Sequence, residues 1–77
     1  LLHFTDPALQ TMFKIAQEKY NENKLEASLS IFTLLTTLKA ENADYWYRLG
    51  IIAHQMSKFT LAVDALENAK YFNSDHL

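Results

Sequence analysis

The segment WYRLGIIAHQMSKFTLAVDALENA, residues 46–69, aligns without a gap with MFKIAQEKYNENKLEASLSIFTLL, residues 12–35, which lies 34 positions before it. Lys58 is identical to Lys24, and size and polarity are preserved at most of the pairs that carry the repeat, such as Phe32 and Leu66. A period of this length is typical of helical repeats. The sequence therefore predicts two related units, about residues 9–42 and about residues 43–76.

Within each unit the apolar residues recur at steps of three and four, which is the period of a helix. The spacing predicts four helices, over residues 7–22, 24–39, 43–56 and 59–72, and no strand. Asp6 and Asn42 are the expected N-caps of the first and third helices, and Asn73 is expected to close the fourth in a left-handed conformation. The predicted fold is all-α, with two tandem helical hairpins in a single domain over residues 1–77.

Length, composition and charge restrict the function. At 77 residues the chain is long enough for one small domain, and its net charge of -2 comes from scattered acids and bases, which disfavours nucleic-acid binding. The absence of cysteine excludes a disulfide framework, and a single glycine, Gly50, excludes a glycine-rich phosphate loop. No apolar stretch approaches the length of a membrane-spanning helix, so membrane insertion is not expected.

The ends of the chain suggest a fragment. The chain begins at Leu1 rather than at Met, and Leu77 falls at the opening position of a third unit. We therefore expect the array to be truncated before a third repeat. Tyr71 and Phe72 are expected to pack under that repeat, and to leave an exposed apolar patch that favours self-association without it.

The second unit resembles the tetratricopeptide repeat. The resemblance is carried by Trp46, Leu49, Gly50, Ala62 and Ala69, with Leu66 in place of the usual aromatic residue. Small residues such as Gly50 and Ala62 let paired helices approach closely. The first unit departs from this pattern at three positions, where it has Met12, Ala16 and Ser28, while Phe32 keeps the aromatic ring.

A longer stretch resembles the class II (translocator) chaperones of bacterial type III secretion. The resemblance is carried by Ile15, Ala16, Tyr20, Lys24, Leu25, Glu26, Phe32, Trp46, Leu49, Gly50, Gln55, Met56, Phe59, Leu61 and Ala62. It implies a cytoplasmic bacterial protein that holds an extended hydrophobic segment of a translocator protein in its concave groove. It also implies that a homodimer can form through the N-terminal segment. The turn glycines common in such repeats are replaced here by Asn23 and Ser57. A generic tetratricopeptide scaffold for protein assembly and a needle-subunit chaperone are the alternatives.

The first helix of each hairpin is expected to line the concave face. Taking the core positions of the first helix as Met12, Ile15, Ala16 and Lys19, the side chains left to face the groove form the predicted peptide-binding set: Gln10, Phe13, Gln17, Tyr20, Asn21, Asp44, Tyr47, Ile51, His54 and Gln55. The chaperone resemblance implies an aromatic row at positions 13, 17 and 20, which Gln17 interrupts. The alternative for Phe13 and Tyr47 is packing inside the core, and Tyr20 is alternatively a staple of the turn. The predicted core is Trp46, Leu49, Phe32, Leu35, Leu66 and Ala69.

The sequence does not suggest catalysis. His3, His54 and His76 lack the spacing of four that places two metal ligands on one helical face. No serine has a neighbouring base, and the acids are spread over solvent faces. We therefore expect a protein that is not an enzyme and that needs neither a metal nor another cofactor.

Overall fold

The computed structural model describes residues 6–73, which form four helices. These are α1 (Asp6–Asn21), α2 (Leu25–Leu38), α3 (Ala43–Gln55) and α4 (Phe59–Phe72), and no strand occurs among the described residues. The all-α prediction is confirmed, and each helix end lies within one residue of its predicted position. The two histidines near the chain ends and the last residues of the second predicted unit lie outside the described range.

The helices pack in chain order. The α1 helix pairs with α2 and α3 pairs with α4, so the chain forms two helical hairpins, and α3 also packs against α2. The buried side chains form one cluster that joins both hairpins: Leu9, Ala16, Phe32, Leu35, Tyr45, Leu49, Ile52 and Ala65. Because α2 contacts α1 and α3, and α3 contacts α2 and α4, these two helices form the middle of the stack.

The turn inside each hairpin has the same backbone geometry. Asn23 and Ser57 adopt left-handed φ angles of 62° and 61°. The next residues, Lys24 and Lys58, each donate a backbone N–H to the carbonyl five residues earlier, at 2.8 Å in both turns. This bond and the left-handed residue define the Schellman motif, which usually has glycine at that position. The 34-residue period of the sequence is therefore present in the backbone.

Of the three predicted helix-terminal residues, only Asn42 acts as predicted. Its side-chain oxygen accepts a hydrogen bond from the backbone N–H of Tyr45 at 3.1 Å, which caps α3. The prediction for Asp6 is wrong, because Asp6 lies within α1, where its negative charge interacts favourably with the first turn. The prediction for Asn73 is also wrong, since its φ of -105° is not left-handed.

Small residues let the two helices of each hairpin approach closely. A methyl group added at Gly50 would lie 2.7 Å from Cγ of Leu66 and 3.4 Å from the carbonyl oxygen of Ala62. In the first hairpin the hydroxyl of Ser28, which is fully buried, donates to the carbonyl of Ala16 at 2.9 Å. In the second hairpin the close approach of the helices requires glycine at position 50, whereas in the first hairpin the paired helices are joined by the buried hydrogen bond of Ser28.

Most of the predicted core is buried. Phe32, Leu35 and Leu49 are almost completely inaccessible, and Ala69 is 8% exposed. Trp46 is only half-buried, and its indole N–H donates to the carbonyl of Ala40 at 2.7 Å.

Two predicted core positions are wrong. Ile15, a core position in the predicted helix phase, is 40% exposed, and Leu66 is 36% exposed. Both lie at an end of the stack. Leu49, which is 34 residues after Ile15, is buried because α3 packs against α2, whereas no described helix precedes α1. Phe32, the counterpart of Leu66, shares the core cluster with side chains of α3, whereas no described helix follows α4.

The end of α4 carries exposed aromatic rings, as the sequence predicts. Tyr71 is 72% exposed and Phe72 is 36% exposed, and their rings contact each other edge to face at 4.9 Å. None of the helices in the described range is both long enough and apolar enough to cross a bilayer.

Candidate peptide-binding groove

An open hollow of about 270 Å³ lies between α1 and α3, above α2. We call it the α1–α3 hollow. Its lining includes five of the ten predicted peptide-binding residues together with three others: Gln17, Tyr20, Phe32, Asp44, Tyr47, Arg48, Ile51 and Ile52. The first helices of both hairpins therefore contribute to one surface.

The α1–α3 hollow has an apolar base and a mixed rim. Phe32 and Ile52, which are 0% and 2% exposed, reach it from the core. Ile51 is half-buried and Tyr47 is 54% exposed at the rim. An apolar side chain entering this hollow would be removed from water against these surfaces, and this removal is the main favourable term in binding.

A hydrogen bond beside the hollow, at Tyr20, joins the two hairpins. The side-chain amide of Gln55 donates to the hydroxyl of Tyr20 at 2.6 Å. Both residues belong to the predicted set. The bond leaves the Tyr20 hydroxyl proton available as a donor, because the hydroxyl only accepts in this contact.

Arg48 is a member of the hollow that the sequence analysis missed. Its Nε donates to both carboxylate oxygens of Asp44, at 3.2 and 3.1 Å, and its guanidinium carbon lies 4.8 Å from the centre of the Phe13 ring. These contacts fix the direction of Asp44 and place a cation beside the hollow. The spacing of four between an acid and an arginine on one helix is the signal that predicts this pair.

Phe13 belongs to the internal packing and does not line the hollow. Its ring contacts Phe32 edge to face, with 5.7 Å between ring centres, and lies 5.9 Å from the ring of Tyr45. The predicted aromatic row on α1 therefore reaches the α1–α3 hollow only through Gln17 and Tyr20. Packing inside the core is the alternative that the sequence allows for Phe13.

Three other predicted residues lie away from the hollow. Gln10 borders a separate depression beside Lys39 and Tyr45. Asn21 is exposed at the end of α1, and the exposed ring of His54 contacts Phe59, with 5.6 Å between ring centres. These three residues share a helix face with the hollow residues, but they do not share its surface.

Among the ionisable groups of residues 6–73, Tyr45 has a shifted pKa. Burial raises the pKa of the Tyr45 hydroxyl, and the negative charges of Asp44 and Asp6 raise it further. Within residues 6–73 there is no group of three His, Asp or Glu side chains placed to hold a metal ion.

No protein-family model matches the chain, and neither the curated proteins nor the solved structures contain a significant match.

Proposed function

We propose that the chain is a non-enzymatic binding module that holds an extended apolar segment of a partner protein in the α1–α3 hollow. The observation that carries this proposal is the hollow itself, which gathers Gln17, Tyr20, Asp44, Tyr47 and Ile51 from two helices. These residues combine apolar surface with hydrogen-bonding groups, a mixture that suits a peptide backbone with apolar side chains.

The size of the hollow favours an extended segment over a helix. A helix with its side chains is about 10–12 Å wide, whereas a volume of about 270 Å³ admits single side chains. In an extended strand alternate side chains point the same way, so one or two of them enter the hollow while the backbone stays at the rim. The Gln17 side-chain amide, which both donates and accepts, is suited to pairing with that backbone.

The more specific proposal is a chaperone of bacterial type III secretion. In this proposal the client is a hydrophobic segment of a translocator protein, and the complex forms in the bacterial cytoplasm. Support comes from the resemblance carried by the sequence and from the position of the hollow on the first helices of both hairpins. A needle-subunit chaperone is the related alternative.

A structural scaffold is the second candidate function. It is favoured by the packing of Phe13 inside the stack, at 5.7 Å from the Phe32 ring, because that packing removes one aromatic side chain from the guest surface. A scaffold needs no guest in the α1–α3 hollow, so the two functions differ in a binding measurement.

The test uses a fluorescein-labelled peptide of about ten residues with leucine at every second position, so that its leucines share one face when it is extended. We expect saturable binding by fluorescence anisotropy, and we expect Ile51→Ala to weaken it about tenfold, as loss of a buried interface anchor does. The matched control is Val63→Ala, because Val63 is 55% exposed on α4 and does not line the hollow.

Binding that is equally weak in both variants, or no binding by the wild-type chain, would favour the scaffold. Replacing the leucines of the peptide with serine is the second control, and it should abolish the signal. A peptide that binds without its leucines would contradict the proposed use of the apolar base.

A further inference from the structure

The guanidinium of Arg48 is held along one edge and covered on one face. Its Nε donates to both carboxylate oxygens of Asp44, at 3.2 and 3.1 Å, and its central carbon lies 4.8 Å from the centre of the Phe13 ring. The Arg48 side chain is 36% exposed and lines the α1–α3 hollow, whereas Phe13 does not line it. The face of the guanidinium that points away from Phe13 is therefore turned toward the hollow.

This arrangement belongs to α3 and is not a feature of the repeat. The residues 34 positions before Asp44 and Arg48 are Gln10 and Lys14. Because an amide carries no charge, Gln10 cannot hold Lys14 by an ion pair, and Lys14 is exposed and does not line the hollow. The contacts with Asp44 and Phe13 restrict the Arg48 side chain before any guest arrives, so binding there costs less side-chain entropy.

The open face of Arg48 is best matched by an aromatic ring. A guanidinium is planar and weakly hydrated, and the face of an aromatic ring carries the negative part of its quadrupole. An aliphatic side chain over the same face would remove water from the charge without replacing that interaction. An acidic side chain would approach the carboxylate of Asp44, which already balances the charge of Arg48.

We infer that the guest segment places an aromatic side chain in the α1–α3 hollow, where its ring lies on the guanidinium of Arg48 opposite Phe13. This inference rests on the proposed function and names its class of guest: an extended segment with phenylalanine, tyrosine or tryptophan among its apolar residues. The hollow of about 270 Å³ admits one such side chain, and its buried base of Phe32 and Ile52 removes the rest of the ring from water.

The test compares three versions of the fluorescein-labelled leucine peptide, in which one central leucine is kept, replaced by phenylalanine or replaced by cyclohexylalanine. Cyclohexylalanine has nearly the shape of phenylalanine and is at least as apolar, but its ring has no π electrons. Because a cation–π contact requires them, the wild-type chain should bind the phenylalanine peptide about two- to fivefold more tightly than the cyclohexylalanine peptide in fluorescence anisotropy.

The role of Arg48 is tested by a pair of matched variants. Arg48→Met removes the cation and keeps a long side chain, so the preference for phenylalanine over cyclohexylalanine should disappear. Lys14→Met makes the same loss of charge at the corresponding position of α1, outside the hollow, and should leave that preference at its wild-type value. Circular dichroism shows whether each variant keeps its helices.

A second measurement uses the wild-type chain alone. Fluorine atoms on the phenylalanine ring of the peptide withdraw electron density from its faces and change its shape little, so they weaken a cation–π contact. Affinity should therefore fall stepwise from the unsubstituted ring to the monofluorinated and then the trifluorinated ring. Apolar contact alone predicts the opposite order, because fluorination makes the ring more apolar.

Equal binding of the phenylalanine and cyclohexylalanine peptides by the wild-type chain would overturn the inference. A preference that persists in Arg48→Met, or an affinity that rises with fluorination, would also overturn it. Tighter binding of a peptide with glutamate at the central position would replace it with an acidic guest. In each of these cases the leucine peptide still binds and the proposed function stands, whereas a failure of all the peptides to bind would contradict both.

Discussion

Replacing Ser57 with glycine should stabilise the protein, because Ser57 holds a conformation that disfavours any side chain. Its φ of 61° lies in the left-handed region, at the residue that ends α3 in a Schellman turn. Asn23 occupies the same position in the first hairpin, with a φ of 62°. The same substitution by glycine can therefore be made in both turns, at two residue types for which the left-handed conformation has a different energetic cost.

The magnitude follows from two opposing terms. The left-handed conformation costs a residue with a Cβ about 1–2 kcal/mol, a penalty that glycine does not have. Against this, glycine lowers the free energy of unfolding by about 0.4–1 kcal/mol, because it gives the unfolded chain more conformational freedom. For Ser57→Gly the net gain is about 0.5–1 kcal/mol, which corresponds to a rise of about 2–8 °C in Tm for a domain of this size. Asn23→Gly should gain much less, because asparagine visits this region with little penalty.

The assay is urea unfolding of the wild-type chain and of each variant, followed by circular dichroism at equilibrium. Ser30→Gly is the matched control, because Ser30 is exposed within α2 and the same chemical change there should cost about 0.5 kcal/mol of helix propensity. The expected order of stability is Ser57→Gly, then Asn23→Gly and the wild type together, then Ser30→Gly. Destabilisation by Ser57→Gly, or a larger gain from Asn23→Gly, would refute the assignment of the left-handed turn.

Three further predictions concern the core. Phe32→Ala should lower the free energy of unfolding by about 3–5 kcal/mol, since Phe32 is fully buried where both hairpins meet, and the helical signal at 25 °C should fall markedly. Gly50→Val should lower it by about 1–3 kcal/mol in urea unfolding, because a Cβ at Gly50 meets Leu66 at 2.7 Å, and a variant as stable as the wild type would contradict that contact. Burial and then the charge of Asp44 raise the pKa of Tyr45 in the folded protein, so the free energy of unfolding should fall as the pH rises above about 10, where the unfolded chain loses the phenol proton more readily. Tyr45→Phe should lose less stability over that range. If the free energies of unfolding of the wild type and the variant depend on pH in the same way, the shift is contradicted.

The helices were predictable from the sequence because their signals are local. The spacing of apolar residues predicted the extent of each helix. Asn42 predicted the start of α3, and its side chain does cap that helix. The position of each turn followed from the polar residues between helices. The left-handed angles of Asn23 and Ser57 were not predicted, since neither residue is glycine.

The burial of individual side chains was predictable only inside the stack. Ile15 and Leu66 have the residue type and spacing of core positions, but no described helix covers them. Phe13 and Tyr47 occupy the same place in the repeat, and one is packed while the other is open. A sequence pattern shows which residues share a face of a helix, whereas the burial of each residue depends on which helix packs against that face. The predicted groove residues could therefore be grouped by helix face. The pattern could not show which of them line the hollow and which pack in the core.

The most direct test of the proposed groove is a methyl spectrum of the isoleucine side chains during titration with the leucine peptide. The chain has four isoleucines, of which Ile51 and Ile52 line the α1–α3 hollow and Ile15 and Ile31 do not. The largest shift is expected for the Ile51 methyl signal, a smaller one for Ile52, and none for the other two. A peptide that shifts Ile15 or Ile31 most, or that leaves Ile51 unmoved at saturation, would contradict a guest site between α1 and α3.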